Sequence, residues 1–108
     1  MEQEIREFID YLHNTKKTSP NTEVSYQRDL TKMAVYLQTK GIGAVEEVRE
    51  FDLMGYLDYM EKEDFASSTI SRSVASMRAF FQHMLALHRI EANPADSLKS
   101  PQGGEEAS

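Results

Sequence analysis

Cysteine is absent from this sequence of 108 residues. Without cysteine the chain has neither a disulfide framework nor a thiolate metal site, so it is compatible with a reducing compartment. No stretch is apolar for the roughly 18 residues that a membrane-spanning helix needs, and the opening residues MEQEIREF are too acidic for a signal peptide. We therefore expect a soluble, cytoplasmic protein with one hydrophobic core and no membrane partner.

Acidic side chains are missing from one long segment, although the net charge of the chain is −6. Between Phe65 and Ile90 there are three arginines and no Asp or Glu. A second segment, residues 15–40, has five cations and two acids, whereas residues 41–64 hold eight acids and two cations. If the two basic segments meet in space, the net charge is a poor guide to whether the partner is anionic.

Helical periodicity accounts for nearly the whole chain, and no alternating run of apolar and polar residues predicts a strand. The second helix begins at a Ser19 cap followed by Pro20, and it ends at the glycines of KGIG. The fourth helix is predicted to begin at a cap formed by Ser67 and Ser68. The first and third helices are predicted over residues 2–14 and 51–62.

Apolar stripes indicate which face of each helix is buried. In the second helix the stripe is Tyr26, Leu30, Met33 and Leu37, and in the third helix it is Leu53, Met54, Leu57 and Met60. In the fourth helix it is Ile70, Val74, Met77, Phe81, Met84 and Leu85. Because Tyr26 and Phe81 lie on these stripes, packing explains them better than stacking on nucleic-acid bases does. The last residues, NPADSLKSPQGGEEAS, are typical of an exit segment that becomes a linker or tail.

The opposite face of the fourth helix is predicted to point outward, and it carries one arginine among small and polar residues. Its members are Ser68, Arg72, Ser76, Ala79 and His83, with Thr69 beside them. Arginine, hydroxyl groups and the free amides of a helix N-terminus are common phosphate ligands, and a carboxylate there would repel a phosphate. The missing acids are therefore explained if this face meets an anionic partner.

The second helix has a related face, on which Ser25, Arg28 and Lys32 share one side and Thr22 lies near the helix start. A few cations on two helices are often only solvated surface. The long segment without acids, next to an acid-rich one, favours an anionic partner over that interpretation. The acids Glu61, Glu63 and Asp64 are more typical of a solvated helix end than of a metal site or an acid–base pair, so neither a metal nor a cofactor is predicted.

Three segments in order, SPNTEVSYQRDL, SSTISRSVASMRAFFQHM and NPADSLKSP, resemble the core-binding domain of the Xer and phage-integrase family of tyrosine recombinases. The resemblance covers about residues 2 to 101. It depends on the following residues: Ser19, Asn21, Thr22, Tyr26, Asp29, Leu30, Thr69, Ile70, Arg72, Met77, Arg78, Phe80, Phe81, Asn93, Pro94 and Pro101.

The resemblance implies an all-α, four-helix SAM-like bundle like the N-terminal domain of lambda integrase, whose second and fourth helices approach double-stranded DNA. By position, the DNA contacts would be Thr22, Ser25, Arg28, Lys32, Ser68, Thr69, Ser71, Arg72, Ser76 and Arg78. The family also assembles four protomers on two duplexes, and the first and third helices are candidates for those protein contacts. The fragment alone is expected to be a monomer or a weak dimer.

Catalysis in this family uses a tyrosine nucleophile, two arginines, a lysine and a His-x-x-Arg motif in a separate C-terminal domain. None of the three histidines here is followed by arginine three residues later. We therefore predict a non-catalytic DNA-binding module over residues 1–101 and a linker or tail over 102–108, leading to a catalytic domain. The alternative is a small helical module that binds a protein and not DNA. If Arg28 and Arg72 both point outward, replacing either with alanine should weaken DNA binding without unfolding the domain.

Overall fold

The computed structural model describes residues 1–98, and within this range the chain is helical and has no strand. Its α-helices are α1 (Glu2–Tyr11), α2 (Pro20–Thr39), α3 (Glu50–Lys62) and α4 (Ser67–Ala86). The predicted all-α architecture of four helices is confirmed. The proposed domain boundary at residue 101 and the tail over 102–108 lie outside the described residues.

Helix α1 is shorter than predicted because its last turn changes geometry. Residues Leu12–Lys16 form a π-helical turn, which ends at Lys17 with a left-handed φ of 54°. The carbonyl of Leu12 accepts the backbone N–H of Thr18 at 3.2 Å, and the Leu12 side chain is buried. This turn closes α1 against the core before the chain enters α2.

The starts of α2 and α4 differ in how they are capped. The hydroxyl of Ser19 accepts the backbone N–H of Thr22 at 3.3 Å and Pro20 occupies the first turn, so the predicted start of α2 is confirmed. Helix α4 instead includes Ser67 as its first residue, and Ala66 precedes it without any side-chain cap. The predicted cap formed by Ser67 and Ser68 is therefore wrong.

Helices α2, α3 and α4 end in the same backbone motif, with one residue in a left-handed conformation. These residues are Gly41, Asp64 and His88, with φ of 81°, 63° and 61°. In each case the next N–H bonds back to the carbonyl five residues earlier, as Phe65 does to Met60 at 3.1 Å. Only the first of these ends carries the glycine that makes the motif predictable from sequence.

Helices α2 and α4 each pack against the other three helices. The residues predicted to be buried in α4 are buried, except Leu85, which is half-buried. In α3 the prediction is wrong at Met54, which is 55% exposed, while Tyr56 is buried in its place and packs on Tyr36 at 5.2 Å between ring centroids. Among residues 1–98, no helix is both long enough and apolar enough to cross a membrane.

Candidate nucleic-acid interface

A buried carboxylate joins α2 to α4. Asp29, only 3% exposed, accepts two hydrogen bonds from Arg72, one from Nε and one from Nη2, each at 2.9 Å. The hydroxyl of Ser76 donates a third hydrogen bond to the same carboxylate at 3.1 Å. A buried carboxylate needs such partners, because an unpaired charge in the interior is strongly unfavourable.

This network changes the predicted roles of two residues on α4. Ser76 is fully buried, so its predicted outward position is wrong: the small side chain allows α2, and not an external partner, to come close. The Arg72 side chain remains 46% exposed although its charge is paired. The hydrogen bonds and the negative charge of Asp29 raise the pKa of Arg72, so the guanidinium is always charged.

Helix α2 presents two further cations on the side that adjoins α4. Arg28 and Lys32 are exposed, and neither makes an ion pair within residues 1–98. Arg28 directly precedes Asp29, the partner of Arg72, and the ammonium of Lys32 lies 5.3 Å from the ring centre of Phe65, just before α4 begins. Arg28 and Lys32 lie one helical turn apart and line the same shallow depression on α2, and Arg72 is tied to α2 through Asp29. We call these three cations the basic face.

The hydroxyl side chains predicted to accompany these cations differ in their exposure to solvent. Ser68 is exposed, whereas Ser25, Thr69 and Ser71 are half-buried. Thr22, also half-buried, has its hydroxyl 3.0 Å from that of Ser19 at the start of α2. The Ser71 hydroxyl is shielded from solvent and has no hydrogen-bond partner among the described residues.

Arg78, also predicted to contact DNA, is occupied by the exit segment that follows α4. Its Nε donates to the carbonyl of Ala95 at 3.3 Å, and its Nη2 donates to the carbonyl of Leu98. The side chains of Ala95 and Leu98 are buried in the core. Arg78 thus holds the end of the described chain against the bundle, a contact that the sequence pattern did not indicate.

His83 does not lie on an outward face as predicted. Its ring stacks on Tyr11 at 4.3 Å between centroids and lies 5.5 Å from Phe8. Burial lowers the pKa of His83, and the charge of Arg89 lowers it further while Glu7 acts in the opposite direction. Ala79, on the same side of α4, is half-buried as well. The C-terminal half of α4 is therefore covered by α1 on this side.

Acidic residues are frequent on and around α3: residues 41–64 hold eight of them. Within the described part of the chain, no cluster of three or more histidine, aspartate or glutamate side chains is placed to hold a metal ion. Helix α3 also exposes two apolar side chains, Phe51 at 77% and Met54 at 55%. Helix α3 therefore combines acidic and exposed apolar side chains, unlike the basic face.

Comparison with known proteins identifies this bundle. A family model described as "Phage integrase, N-terminal SAM-like domain" matches residues 5–87. The chain belongs to that family. The match covers the whole of α2, α3 and α4. The basic face, with Asp29 and Ser76, therefore lies inside the SAM-like domain.

Several curated tyrosine recombinases are similar to the SAM-like domain. Tyrosine recombinase XerC of Herpetosiphon aurantiacus is 30% identical over 101 residues, which is 94% of this chain and 33% of that protein. Tyrosine recombinase XerD of Shewanella oneidensis is 32% identical over 97 residues, covering 90% of this chain and 32% of that protein. The chain thus spans about a third of the length of the relatives it matches.

Proposed function

We propose that this SAM-like domain is the duplex-DNA-binding module of a site-specific tyrosine recombinase. In this proposal the basic face lies against the DNA backbone, with Ser25, Ser68, Thr69 and Thr22 around it. The Ser71 hydroxyl is shielded from solvent and is left out of the contact surface. The module positions the recombination site and is not itself catalytic, and strand cleavage belongs to a further domain of the parent protein. Other recombinase protomers on the same DNA would be its protein partners, in the cytoplasm.

One observation carries the proposal: Arg72 of α4 is bound to Asp29 of α2, the helix that exposes Arg28 and Lys32 one turn apart. Within residues 1–98, the only acid that forms an ion pair with these cations is Asp29, which is buried and hydrogen-bonded to Arg72 and Ser76. Most hydrogen bonds between proteins and DNA go to the backbone, and arginine, lysine and small hydroxyl side chains supply many of them. The relatives named as tyrosine recombinases support the same assignment.

The net charge of −6 sets the expected strength of binding. The acidic side around α3 repels DNA at long range, so only the basic face contributes favourably. We expect a Kd in the range of about 10⁻⁴ to 10⁻⁶ M for a short duplex, which is typical of contacts to the backbone alone. Binding should weaken steeply as salt rises, because each neutralised phosphate releases counterions.

A titration of a short duplex into the labelled domain at several salt concentrations tests the proposal. The double variant Arg28→Gln with Lys32→Gln should weaken binding and reduce the slope of log Kd against log salt by about 1.8, which corresponds to two phosphate contacts. Lys40→Gln is the matched control, because it removes one charge from the end of the same helix, where Lys40 lies over the Tyr36 ring. The control should keep the wild-type slope.

Amide chemical shifts locate the contact independently of affinity. We expect the duplex to shift amides of α2 and of the first half of α4. Shifts confined to α1 and α3, or binding that is insensitive to salt, would show that the basic face is not the DNA-binding surface.

The second candidate function is a protein-interaction module, and the exposed Phe51 and Met54 on α3 favour it. An apolar patch bordered by the exposed acids Glu50, Asp58 and Glu61 suits a partner that is both basic and apolar. If this were the only function, the domain would not bind duplex DNA at low salt. The titration above therefore distinguishes the two candidates.

A further inference from the structure

We propose that Asp29 is a positioning residue for DNA binding: it holds the Arg72 guanidinium so that its unused edge faces a phosphate. The inference rests on the proposed function, because it assigns a role within the same basic face. It runs against simple charge counting, which predicts that a carboxylate beside a DNA-contacting arginine weakens binding.

The hydrogen bonds leave Arg72 with free donors on one defined side. Arginine has five N–H donors in a planar fork, and Asp29 uses one from Nε and one from Nη2. Both Nη1 hydrogens and the second Nη2 hydrogen remain. Because Asp29 is buried while Arg72 is 46% exposed, the bonded edge faces the interior and the remaining edge faces outward.

Asp29, which anchors the Arg72 guanidinium, is itself held rigidly. Asp29 belongs to α2, it is surrounded by the core, and the Ser76 hydroxyl fixes one of its carboxylate oxygens from α4. A free arginine side chain loses much rotamer freedom when it is fixed on a phosphate. An arginine already held by two hydrogen bonds has lost most of that freedom on folding, so less is lost on binding.

Asp29→Asn tests the proposal through the sign of its effect. The variant adds one positive charge to the basic face and removes the paired anchor. If Asp29 positions Arg72, binding becomes several-fold weaker and the salt slope falls by about 0.9, as one phosphate contact is lost. If Asp29 only neutralises Arg72, binding becomes tighter and the slope does not fall, which would overturn the proposal.

Asp58→Asn is the matched control, since it makes the same change of charge on the acidic helix α3. It should leave the salt slope at the wild-type value. A fall in slope for Asp58→Asn as large as for Asp29→Asn would mean that the effect is not specific to the anchor, and would contradict the proposal. Circular dichroism at the titration temperature shows whether each variant is folded.

Arg72→Lys and Arg72→Gln provide a second test if Asp29→Asn does not fold. Lysine keeps the charge, but its compact ammonium cannot serve a buried carboxylate and an external phosphate through opposite edges. We therefore expect the lysine variant to show the same reduced salt slope as the glutamine variant. A lysine variant with the wild-type slope would overturn the proposal, because charge alone would then be sufficient.

These outcomes separate the inference from the proposed function. If the wild-type domain shows no salt-dependent binding to the duplex, the proposed function itself fails. If the wild type binds and the Arg28 and Lys32 variant weakens binding, but Asp29→Asn tightens it, only the role of Asp29 fails. A purely structural role for Asp29 would change the folded fraction and leave the salt slope of the folded protein unchanged.

Discussion

The two halves of α4 carry one arginine each, and the structure uses them in opposite ways. In the first half, Arg72 binds a buried carboxylate of α2 and keeps part of its guanidinium in solvent. In the second half, Arg78 binds the backbone carbonyls of Ala95 and Leu98. The first half therefore presents a cation beside those of α2, while the second half fixes the exit segment to the bundle.

The difference shows that the role of an exposed arginine on a helix depends on which groups its guanidinium donors already bind. Arg72 is paired with a full negative charge, so its remaining donors are oriented but its net charge is offset. Arg78 is paired with neutral carbonyls, so it keeps its full charge but has two of its donors committed to the chain itself. Both arrangements leave three donors free, but only Arg72 is held by α2, the helix that carries Arg28 and Lys32.

The largest expected effect comes from breaking the pair in the first half. Arg72→Ala leaves Asp29 buried with only Ser76 as a partner, and removing one member of a buried ion pair costs about 3 to 5 kcal/mol. Thermal unfolding should show a fall in Tm of at least about 12 °C for a domain of this size. Because Arg72 is paired with Asp29, Arg72→Ala should reduce stability as well as DNA binding.

Arg28→Ala is the control for that comparison, because Arg28 is exposed and has no ion pair within residues 1–98. Its effect on the free energy of unfolding should stay within about 0.5 kcal/mol. Equal losses of stability in the two variants would show that the buried pair is not what distinguishes Arg72.

A smaller loss of stability is expected from a change in the second half of α4. Arg78→Ala removes two hydrogen bonds to neutral carbonyls from an exposed side chain, and because water can replace such a donor, less stability is lost than when a buried charge is left unpaired. The loss should be local: the amides of Asp96 and Leu98, which bond within the exit segment, should exchange faster with solvent. Hydrogen exchange measured residue by residue checks this.

DNA binding sharpens the same prediction. Because Arg78 is held at the exit segment and is not part of the basic face, Arg78→Ala should keep the wild-type salt slope within error. Arg6→Ala, an exposed arginine on α1, is the control for the loss of a charge. A fall of about 0.9 in the slope for the Arg78 variant alone would mean that Arg78 contacts a phosphate and that the two halves are alike.

The smallest expected effect is a loss of thermal stability at low pH that arises from His83, in the second half of α4. The pKa of His83 is lowered by burial, so the folded state binds its proton less readily than the unfolded state does. The contribution of His83 to the free energy of unfolding is therefore complete above the unfolded-state pKa of about 6.5, and it decreases as the pH falls below that value. His83→Phe, which preserves stacking on Tyr11, should lose less Tm between about pH 7.5 and about pH 5.5 than the wild type does.

His88→Asn is the control for the pH series, because His88 is exposed and has a left-handed conformation that asparagine accepts. It should retain the acid sensitivity of the wild type. If His83→Phe and the wild type lose the same Tm on acidification, the neutral, buried state of His83 contributes nothing to the difference between the two halves.

Much of the fold could be predicted because it depends on local patterns. The Ser19 cap, the glycine after α2 and the stripes of α2 and α4 involve residues within a few positions of each other. The prediction was less successful for α3, where Met54 and Tyr56 compete for the core and helical spacing alone does not decide between them. The left-handed ends at Asp64 and His88 carried no glycine to indicate them.

The site was predicted less completely, and the reason is the position of α4. A helix with a single buried stripe exposes everything opposite, but α4 packs against three helices. Ser76, predicted on the outward face, is buried and donates a hydrogen bond to Asp29 of α2, and Ser73 is buried as well. The surface predicted for DNA contact is consequently narrower, and it is centred on Arg72 and the cations of α2.

The sequence by itself determined four helices, the alternation of basic and acidic segments, and the absence of carboxylates between Phe65 and Ile90. These features follow from residue type and short spacing. Only the tertiary structure decided that Arg72 meets Asp29, 43 positions away, while Arg78 turns to the exit segment. Two arginines on one helix look equivalent along the chain, and only the way the helices pack determines which groups each of them can reach.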